Sequence, residues 1–508
     1  MQYTRATRRW LTLATFAFVF LVLCVGIVGY LRWPYGEKMV VQALETKFSS
    51  RVHVKSFRNT YFPRPGYIAE GIVFDRKGDR PYRPFVTAQR ISSNGSYFGL
   101  FRFPEVIQTL RIDGLILRVP QNIKSESTPA HKAAWWKAYR IDEAVADNAL
   151  VEILRTTPGK PPLRFLIHHV RIAPITTRQP FEFQASLRIP RPLGEVETQG
   201  QFGPSMTEDL SQTPVSGTYT LRNAKLSTFS NISGILQSQA KFHGTLGDIR
   251  VAGTADTPDF ELLSVHHPVP LQARYLVDVD GMDGDVRIDS FHAHFNRTEL
   301  WATGYVKKTD GQKGKVTTVE MTVQEGHIQD LLYPLVATTP PVMKGTIHFQ
   351  AKGVFPYNGG PFIQRMSIAG NFDVEQINFN HPATQEEVDK MSERAKGKKN
   401  SDLKQVNASL FGHVDLQKGV GTFSTLAFRV PGADAQVHGQ YSLLNSKVDF
   451  QGHLKTRGTL SQDTTGIKSI LLWPLNPFFQ HHDKGADIPV KITGTYNHPH
   501  FGLALGHK

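Results

Sequence analysis

Histidine is the residue type whose number and spacing first suggest chemistry. Twenty histidines occur among 508 residues, with adjacent pairs at His168–His169, His266–His267 and His481–His482. Neighbouring residues of a strand point to opposite faces, so the two members of such a pair do not share a ligand. His292 and His294 lie on one face and could bind a metal with a third ligand. The sequence identifies no supporting ligand. We therefore predict no metal site and interpret these histidines as polar-face residues.

Known catalytic and nucleotide-binding motifs are missing from the sequence. It contains no HExxH, no GxSxG and no GxxxxGK[ST]. The only cysteine, Cys24, lies inside an apolar run and is not available as a nucleophile. The acidic cluster Asp278–Asp285 lacks the ligand order of an EF-hand, and its Asp-Gly pairs favour a hairpin turn. We predict no catalytic residue, no cofactor and no enzymatic activity.

The N-terminal region is predicted to anchor the chain in a membrane. Residues 11–31 carry no charge and reach the ~20 residues that a transmembrane helix needs. Three arginines precede this run, which predicts that residues 1–10 are cytoplasmic and that the rest of the chain is exported. Trp10, Tyr30 and Trp33 flank the run and suit the two membrane interfaces. A cleaved signal peptide is the alternative, but its apolar core would be shorter, roughly 7–15 residues.

After residue 50 the apolar residues recur with a period of two, which is typical of strands with one apolar and one polar face. In "FEFQASLRIP" the odd-numbered residues from 181 to 189 are apolar, whereas Arg188 and its even-numbered neighbours are polar. We predict a mainly β fold in which a long, curved, mostly antiparallel sheet forms an elongated apolar groove with few short helices. The residues predicted to line this groove are Phe181, Phe183, Leu187, Ile189, Leu271, Tyr275, Val277, Val406, Leu410, Ile488, Val490 and Ile492.

Two short helices are predicted beyond the membrane span. The first covers residues 34–50, where Val40, Leu44 and Phe48 form an apolar stripe with Met39 and Ala43 beside it, and we expect it to cap the end of the sheet. The second is an insertion over 384–397, where Thr384 and Glu387 form a capping box and Val388, Met391 and Ala395 form a stripe. The segment "TPAHKAAWWKAYRI" fits either an inserted helix or a strand edge.

The net charge favours an anionic partner. Lysine and arginine number 58 against 44 acidic residues, and they are scattered along the chain rather than clustered. In an exported chain beside a bilayer, such residues meet anionic lipid head groups, and no nucleic-acid partner is expected.

The order of several segments resembles the AsmA-like family of bacterial envelope proteins. Near the N-terminus a single span is followed by a short helix, an "FPRPG" turn and the strand "AEGIVF". Near the C-terminus the segments "GTFSTLAFRVPGADAQVHGQY", "VDFQGHL", "GIKSILLWPLNPFF" and "KGADIPVKITGTYNHPHFG" follow in the family's order. The resemblance covers roughly residues 1–120 and 320–508.

The resemblance implies a repeating β-groove of the kind found in bridge-like lipid transfer proteins. It implies a groove region over 51–320 and an AsmA-like C-terminal region over 321–508. The implied function is transfer of phospholipid, or another acyl-chain lipid, between the inner and outer membranes, and outer-membrane homeostasis. The protein would be a single-pass inner-membrane protein with its bulk in the periplasm. Two alternatives remain: an assembly or chaperone-like factor for outer-membrane proteins, and a structural envelope protein with a closed β-sandwich.

The arginine cluster Arg5, Arg8 and Arg9 leads to a topological prediction. An alkaline phosphatase fused after Lys508 should be active in a bacterial host, because the C-terminus is expected outside the cytoplasm. A cytoplasmic reporter at the same position is the control. An inactive phosphatase together with an active cytoplasmic reporter would contradict the topology.

Overall fold

The structure of the chain is a computed structural model. The predicted span 11–31, its flanking aromatic residues Trp10, Tyr30 and Trp33, and Val406 lie outside the described residues. Within the described part, no helix combines the length and apolar character needed to span a membrane. The described residues are 35–48, 50–76, 86–97, 105–120, 139–154, 161–175, 179–204, 209–229, 231–309, 314–336, 339–356, 361–382, 385–386, 388–389, 392, 407–456, 487–495 and 498–503.

The chain is mainly β, with a long and mostly antiparallel sheet and few helices. Parallel pairing joins β7 to β5 and β6, whereas the consecutive strands from β13 to β26 pair antiparallel. The chain divides into two compact units, residues 1–190 with 194–219, and residues 191–193 with 220–508. The boundary expected between residues 320 and 321 falls inside a strand of the second unit.

The described part of unit 1 begins with helix α1 and continues with strands, the last of which extends past the division at residue 219. A single-turn 3-10 helix, Leu210–Gln212, precedes this last strand. The bounds are α1 Glu37–Phe48, β1 Ser50–His53, β2 Ser56–Thr60, β3 Gly66–Arg76, β4 Val86–Gly95, β5 Glu105–Asp113, β6 Ile116–Pro120, β7 Tyr139–Leu154, β8 Leu163–Ala173, β9 Phe181–Pro190, β10 Leu193–Phe202 and β11 Pro214–Lys225.

Unit 2 is a run of antiparallel neighbours interrupted by short helices. The 3-10 turn Leu226–Thr228 opens it. The bounds are β12 Ile232–Ser233, β13 Ile235–Thr245, β14 Asp248–Leu262, β15 Val269–Val279, β16 Val286–Phe295, β17 Thr298–Lys308, β18 Lys315–His327, α2 Ile328–Leu332, β19 Met343–Pro356, α3 Phe362–Arg365, β20 Ser367–Phe379, β21 Ala408–Gln417, β22 Val420–Val430, β23 Ala433–Ser442, β24 Lys447–Thr456, β25 Asp487–Thr495 and β26 His498–Leu503.

Short turns set the register between strands. Lys418 and Gly419, with φ of 52° and 78°, join β21 to β22. Two central residues with positive φ form the turn whose twist matches an antiparallel hairpin. Between β15 and β16, the carboxylates of Asp280 and Asp283 each accept a hydrogen bond at 2.7 Å from the backbone N–H two residues ahead. The acidic cluster 278–285 therefore contains a hairpin turn, as its Asp-Gly pairs predicted.

Helix α1 packs on the first strands of unit 1. Val40 and Leu44 contact a buried cluster that includes Val52, Ile72 and Phe74. Glu45 also accepts a hydrogen bond at 3.0 Å from the backbone N–H of Val52, which ties the helix to β1.

The stripe predicted for this helix was partly wrong. Met39 is 56% exposed, and Ala43 is exposed as well. Val41 packs against the cluster in their place. The side chain of Phe48 lies outside the described residues.

A second buried cluster lies at one margin of the sheet in unit 2. It joins Val323, Ile347, Val374, Ile377 and Ile328 of α2. Asp330 of α2 is buried, and one carboxylate oxygen accepts hydrogen bonds from the backbone N–H of Arg297 and from Thr298 Oγ1 at 3.0 and 3.1 Å. These bonds fix the helix across the strand ends.

The predicted insertion 384–397 contributes to the same cluster. Its described residues 385, 386, 388, 389 and 392 are helical. Val388 packs in the cluster, and Ser392 is buried and donates a hydrogen bond to the carbonyl oxygen of Pro431 at 2.8 Å. Thr384, Glu387, Met391 and Ala395 lie outside the described residues.

Tyr67 provides a test of the core under α1. Burial raises the pKa of Tyr67 to about 12, and the neighbouring Tyr35 adds to the shift. The pKa of Tyr67 in the folded protein exceeds the unfolded value near 10, so folding favours the protonated phenol. The stability that this preference contributes is complete below pH 10 and is lost as the pH rises to 12. The free energy of unfolding of the wild type should therefore fall by about 2 kcal/mol more than that of Tyr67→Phe between pH 9.5 and 12.

The control for this experiment is Tyr61→Phe, because Tyr61 is 56% exposed. It should follow the wild type at every pH. Parallel curves for the wild type and Tyr67→Phe would contradict the assignment of Tyr67 to the core.

Candidate functional site

The candidate site is the apolar face of the sheet in unit 2. Directly opposed residues of paired strands lie on the same face, so the register identifies rows of side chains that run across the strands. The first row contains one residue from every strand between β13 and β26 and no charged residue. It consists of Ala240, Gly253, Tyr275, Phe291, Ala302, Met321, Ala351, Gly370, Val414, Phe423, Gly439, Phe450, Ile492 and Phe501.

A second row lies two residues along the strands and has the same character. It also crosses β13 to β26 without a charged residue. It consists of Phe242, Val251, Val277, Ile288, Gly304, Val319, Gly353, Ile368, Leu416, Gly421, Tyr441, Val448, Gly494 and Pro499.

Two further rows lie on the other side of the first row. The third crosses β18 to β26 and consists of Val323, Phe349, Phe372, Gly412, Leu426, Val437, Gly452, Val490 and Leu503. The fourth crosses β19 to β25 and consists of Ile347, Val374, Leu410, Phe428, Ala435, Leu454 and Ile488.

Aromatic rings lie beside glycines at two places in the first row. Phe423 and Phe450 flank Gly439 in the first row, and their ring centroids are 5.6 Å apart. A Cβ at Gly439 would lie 2.8 Å from a ring carbon of Phe450. Gly253 is similar, since a Cβ there would lie 2.6 Å from the hydroxyl of Tyr275. The rings therefore lie over backbone that has no side chain, which gives the face a continuous apolar surface.

The apolar face is covered unevenly. In the fourth row, Ile347, Val374 and Ile488 are 4%, 2% and 1% exposed, so protein covers this margin. In the third and first rows, Val490 and Ile492 of the same strand are half-buried, whereas Val323 and Phe450 of those rows are buried. The half-buried part is the part that a ligand can reach.

Unit 1 has an apolar row of its own. It runs through β2, β3, β4, β5, β7, β8 and β9 and consists of Phe57, Ala69, Ile91, Ile112, Ala146, Val170 and Ala185. The pairs Leu187–Ile167 and Phe183–Ile172 lie on either side of it. All these residues are apolar, and those contributed by β9 are the odd-numbered residues of "FEFQASLRIP".

The opposite face carries paired charges. In unit 2 the Asp289 carboxylate lies 3.0 Å from both Arg250 and Arg287, and Asp278 also contacts Arg287. In unit 1 the nearly buried Glu152 carboxylate accepts hydrogen bonds from Arg118 and Arg164 at 3.0 Å each. Charges that remain on one face leave the other face free of the desolvation cost of ions.

Glu195 shows the same pairing in unit 1. Burial acts to raise the pKa of its carboxyl, but hydrogen bonds from Arg188 and His168 outweigh this effect and hold the pKa below its usual value. Arg188 Nε and His168 Nε2 lie 2.5 and 3.1 Å from the carboxylate oxygens. Arg188, the neighbour of Leu187, is therefore held on the polar face.

The structure places the predicted lining residues as follows. Tyr275 and Ile492 lie in the first row, Val277 in the second, Val490 in the third, and Leu410 and Ile488 in the fourth. Leu271 pairs with Phe295 beyond the first row, and the ring centroids of Phe181 and Phe202 are 5.3 Å apart. Phe183, Leu187 and Ile189 are half-buried on β9. Ile488 differs from the other predicted lining residues named here, because its side chain is fully buried.

The histidines considered for metal binding have other partners. His292 stacks on Trp301 with ring centroids 3.7 Å apart. His168 and His169 contact different carboxylates, those of Glu195 and Asp147. Across the described residues, no group of three or more His, Cys, Asp or Glu side chains is arranged to hold a metal ion.

Sequence reasoning missed several members of the rows. In β16 the apolar residues change from even to odd numbers between Ile288 and Phe291, and in β22 they change from odd to even between Phe423 and Leu426. Each change coincides with a one-residue irregularity in the register. A phase change inside an otherwise alternating segment is the sequence signal that would have identified these bulges.

Comparisons with known proteins do not add a family assignment. The chain matches no protein-family model, no curated protein and no solved structure.

The uneven cover predicts different costs for two matched substitutions in β25. Ile488→Ala should lower the free energy of local opening by about 3 kcal/mol, because it leaves a cavity in a covered core. Ile492→Ala should lower it by about 1 kcal/mol, because the side chain is only half-buried. Hydrogen exchange of the β24 and β25 amides measures both values. Equal costs would show that both residues belong to one closed core.

Proposed function

We propose that this protein is a single-pass inner-membrane protein whose periplasmic β-sheet shields lipid acyl chains in an apolar groove. In this role it contributes to phospholipid transfer between the inner and outer membranes and to outer-membrane homeostasis. The observation that carries the proposal is the pair of apolar rows that cross every strand from β13 to β26 without a charged residue. The resemblance to AsmA-like proteins supports the same function.

The length of the rows favours a mobile apolar ligand over an ordinary core. A compact core needs an apolar face that a second layer of protein covers. Here the described helices and buried clusters cover margins of the sheet, whereas the first and third rows remain half-buried at Ile492 and Val490. Large accessible apolar surface is typical of a binding site.

The energetics suit acyl chains. Each CH₂ group removed from water contributes about 0.8 kcal/mol, so a chain of sixteen to eighteen carbons gains on the order of 12 kcal/mol. A uniform row lets a chain move from strand to strand without losing this contribution. The paired charges of the opposite face keep the sheet soluble in water. Transfer by this route requires no catalytic residue.

The proposal predicts which side chains touch lipid. A photo-crosslinking residue at Leu187 should capture phospholipid in cells, whereas the same residue at Arg188 should not. Leu187 pairs with Ile167 on the apolar face, and Arg188 binds Glu195 on the polar face. The two positions are adjacent in the chain and therefore equally close to the membrane, so proximity alone cannot produce the contrast.

Unit 2 offers an independent pair for the same experiment. Val490 lies in the third apolar row, and Lys491 is exposed on the polar face. Lipid captured at Val490 and absent at Lys491 is the expected result. Equal capture at both positions of either pair, or capture at neither, would contradict an acyl-chain groove.

A charged residue on the apolar face should distinguish an effect on lipid transfer from an effect on folding. Leu187→Glu should impair lipid transfer because an unpaired carboxylate against hydrocarbon costs several kcal/mol. The backbone hydrogen bonds of β8 and β9 do not involve this side chain, so the sheet should keep its circular dichroism spectrum. A variant that unfolds instead would show that the residue belongs to a closed core.

A further inference from the structure

The polar face of unit 2 contains two concavities that the lipid proposal does not use. The first, of about 760 Å³, is lined by residues that include Gln237, Gln239, Gln272, Arg274, His292 and His294. The second, of about 640 Å³, is lined by residues that include Gln324, His348, Gln350, Asn371, Asp373 and His413. Side-chain amides and imidazoles contribute to both, and the lining of the second also includes Val323, Phe349 and Phe372 of the third apolar row, which alternate with its polar residues along the strands.

One row across the strands joins the two concavities. The register places Arg274, His292, Trp301, Thr322, Gln350 and Asn371 on successive strands from β15 to β20. The first two line the first concavity, and the last three line the second. Trp301 stands between them. We call this row and its two concavities the polar track.

Trp301 is an unusual residue for a polar face. It is 45% exposed and is stacked against His292 with an angle of 5° between the rings. Among the described residues it is the only tryptophan. His292 stacks on one face of this indole. The exposed part of the ring offers a flat apolar surface and an N–H donor to a ligand.

The charges of the polar track argue against a polyanion. The first concavity has Arg222 and Arg274 opposite Asp256 and Glu299, and the second adds Asp373. No lysine lines either concavity, although the whole chain has a net charge of +14. A nucleic-acid or acidic-polymer site would concentrate lysine and arginine. A protein-binding site would have an apolar centre.

The hydrogen-bonding groups of the track match hydroxyl groups. Side-chain amides both donate and accept, as a sugar hydroxyl does. His292 Nε2 is shielded from solvent and lies 3.3 Å from a Glu299 carboxylate oxygen, a contact that helps to hold the ring stacked on Trp301. The Glu299 side chain is itself exposed and lines the first concavity, so its carboxylate can accept a hydrogen bond from a ligand hydroxyl.

We propose that the polar track binds a neutral glycan chain. Sugar hydroxyls bond to the amides and to Glu299, and the C–H face of a sugar ring packs on Trp301. The glycan lies on the opposite face of the sheet from the apolar rows, so this inference stands independently of lipid binding.

Calorimetric titration of the full-length protein tests the proposal. The probes are maltohexaose, cellohexaose and the hexamer of N-acetylglucosamine, and the detergent carries no sugar head group, so that it does not compete. At least one probe should bind with a Kd below about 1 mM, equivalent to about 4 kcal/mol. Because the ligand is neutral, 0.5 M salt should change the Kd by less than about twofold. Binding of none of the three probes would overturn the proposal, as would binding that salt abolishes.

Two variants and a matched control locate the site. Trp301→Ala and Gln272→Ala should each weaken binding, Trp301→Ala by roughly tenfold or more. The control is Tyr305→Ala, because Tyr305 lies on the same strand and face, is 39% exposed and lines neither concavity. It should bind like the wild type. The proposal would be overturned if Tyr305→Ala and Trp301→Ala lost the same affinity for the probe. It would also be overturned if Trp301→Ala, Gln272→Ala or both bound the probe as tightly as the wild type.

Discussion

The two-residue period of a paired strand is the constraint on which this structure depends. A shift of one residue in the pairing of any strand would move its apolar side chains to the opposite face. The rows across β13 to β26 stay apolar because successive pairings preserve the face, from Gly253–Tyr275 to Ile492–Phe501. Where an extra residue enters, as at Asp289 in β16, the irregularity absorbs it, and Ile288 and Phe291 remain on the same face.

This constraint separates apolar packing from charge pairing on the two faces of one sheet. On the apolar face, rings such as Phe450 lie over glycines such as Gly439, and no charge interrupts them. On the polar face, carboxylates such as Glu152 and Glu195 are held by arginines. Neither face has to accommodate an ion in an apolar environment, which would cost several kcal/mol. This separation is what the two proposals rest on, namely hydrocarbon on one side of the strands and hydroxyl groups on the other.

The sequence predicted a mainly β fold with a long, mostly antiparallel sheet and many members of the apolar face, because unbroken alternation follows directly from strand geometry. The segments around Leu187 and Val277 are such cases. The sequence did not show how the face is covered, since burial of Ile488 but not Ile492 depends on contacts that no local pattern encodes. It also missed the bulges of β16 and β22, where local alternation breaks although the face is preserved. The polar track was missed for a related reason, because only the register brings Trp301 beside His292.

Native mass spectrometry of the full-length protein, purified from bacterial membranes, tests the central claim most directly. The account predicts phospholipid that stays bound to the wild type after the detergent is removed. A carboxylate in the first row, introduced as Ile492→Glu, should lower this occupancy severalfold, because it places an unpaired charge against hydrocarbon. Lys491→Glu, on the opposite face of the same strand, should leave it unchanged and so controls for lipid that surrounds the membrane anchor. A wild type without bound lipid, or equal occupancy in all three proteins, would contradict the account.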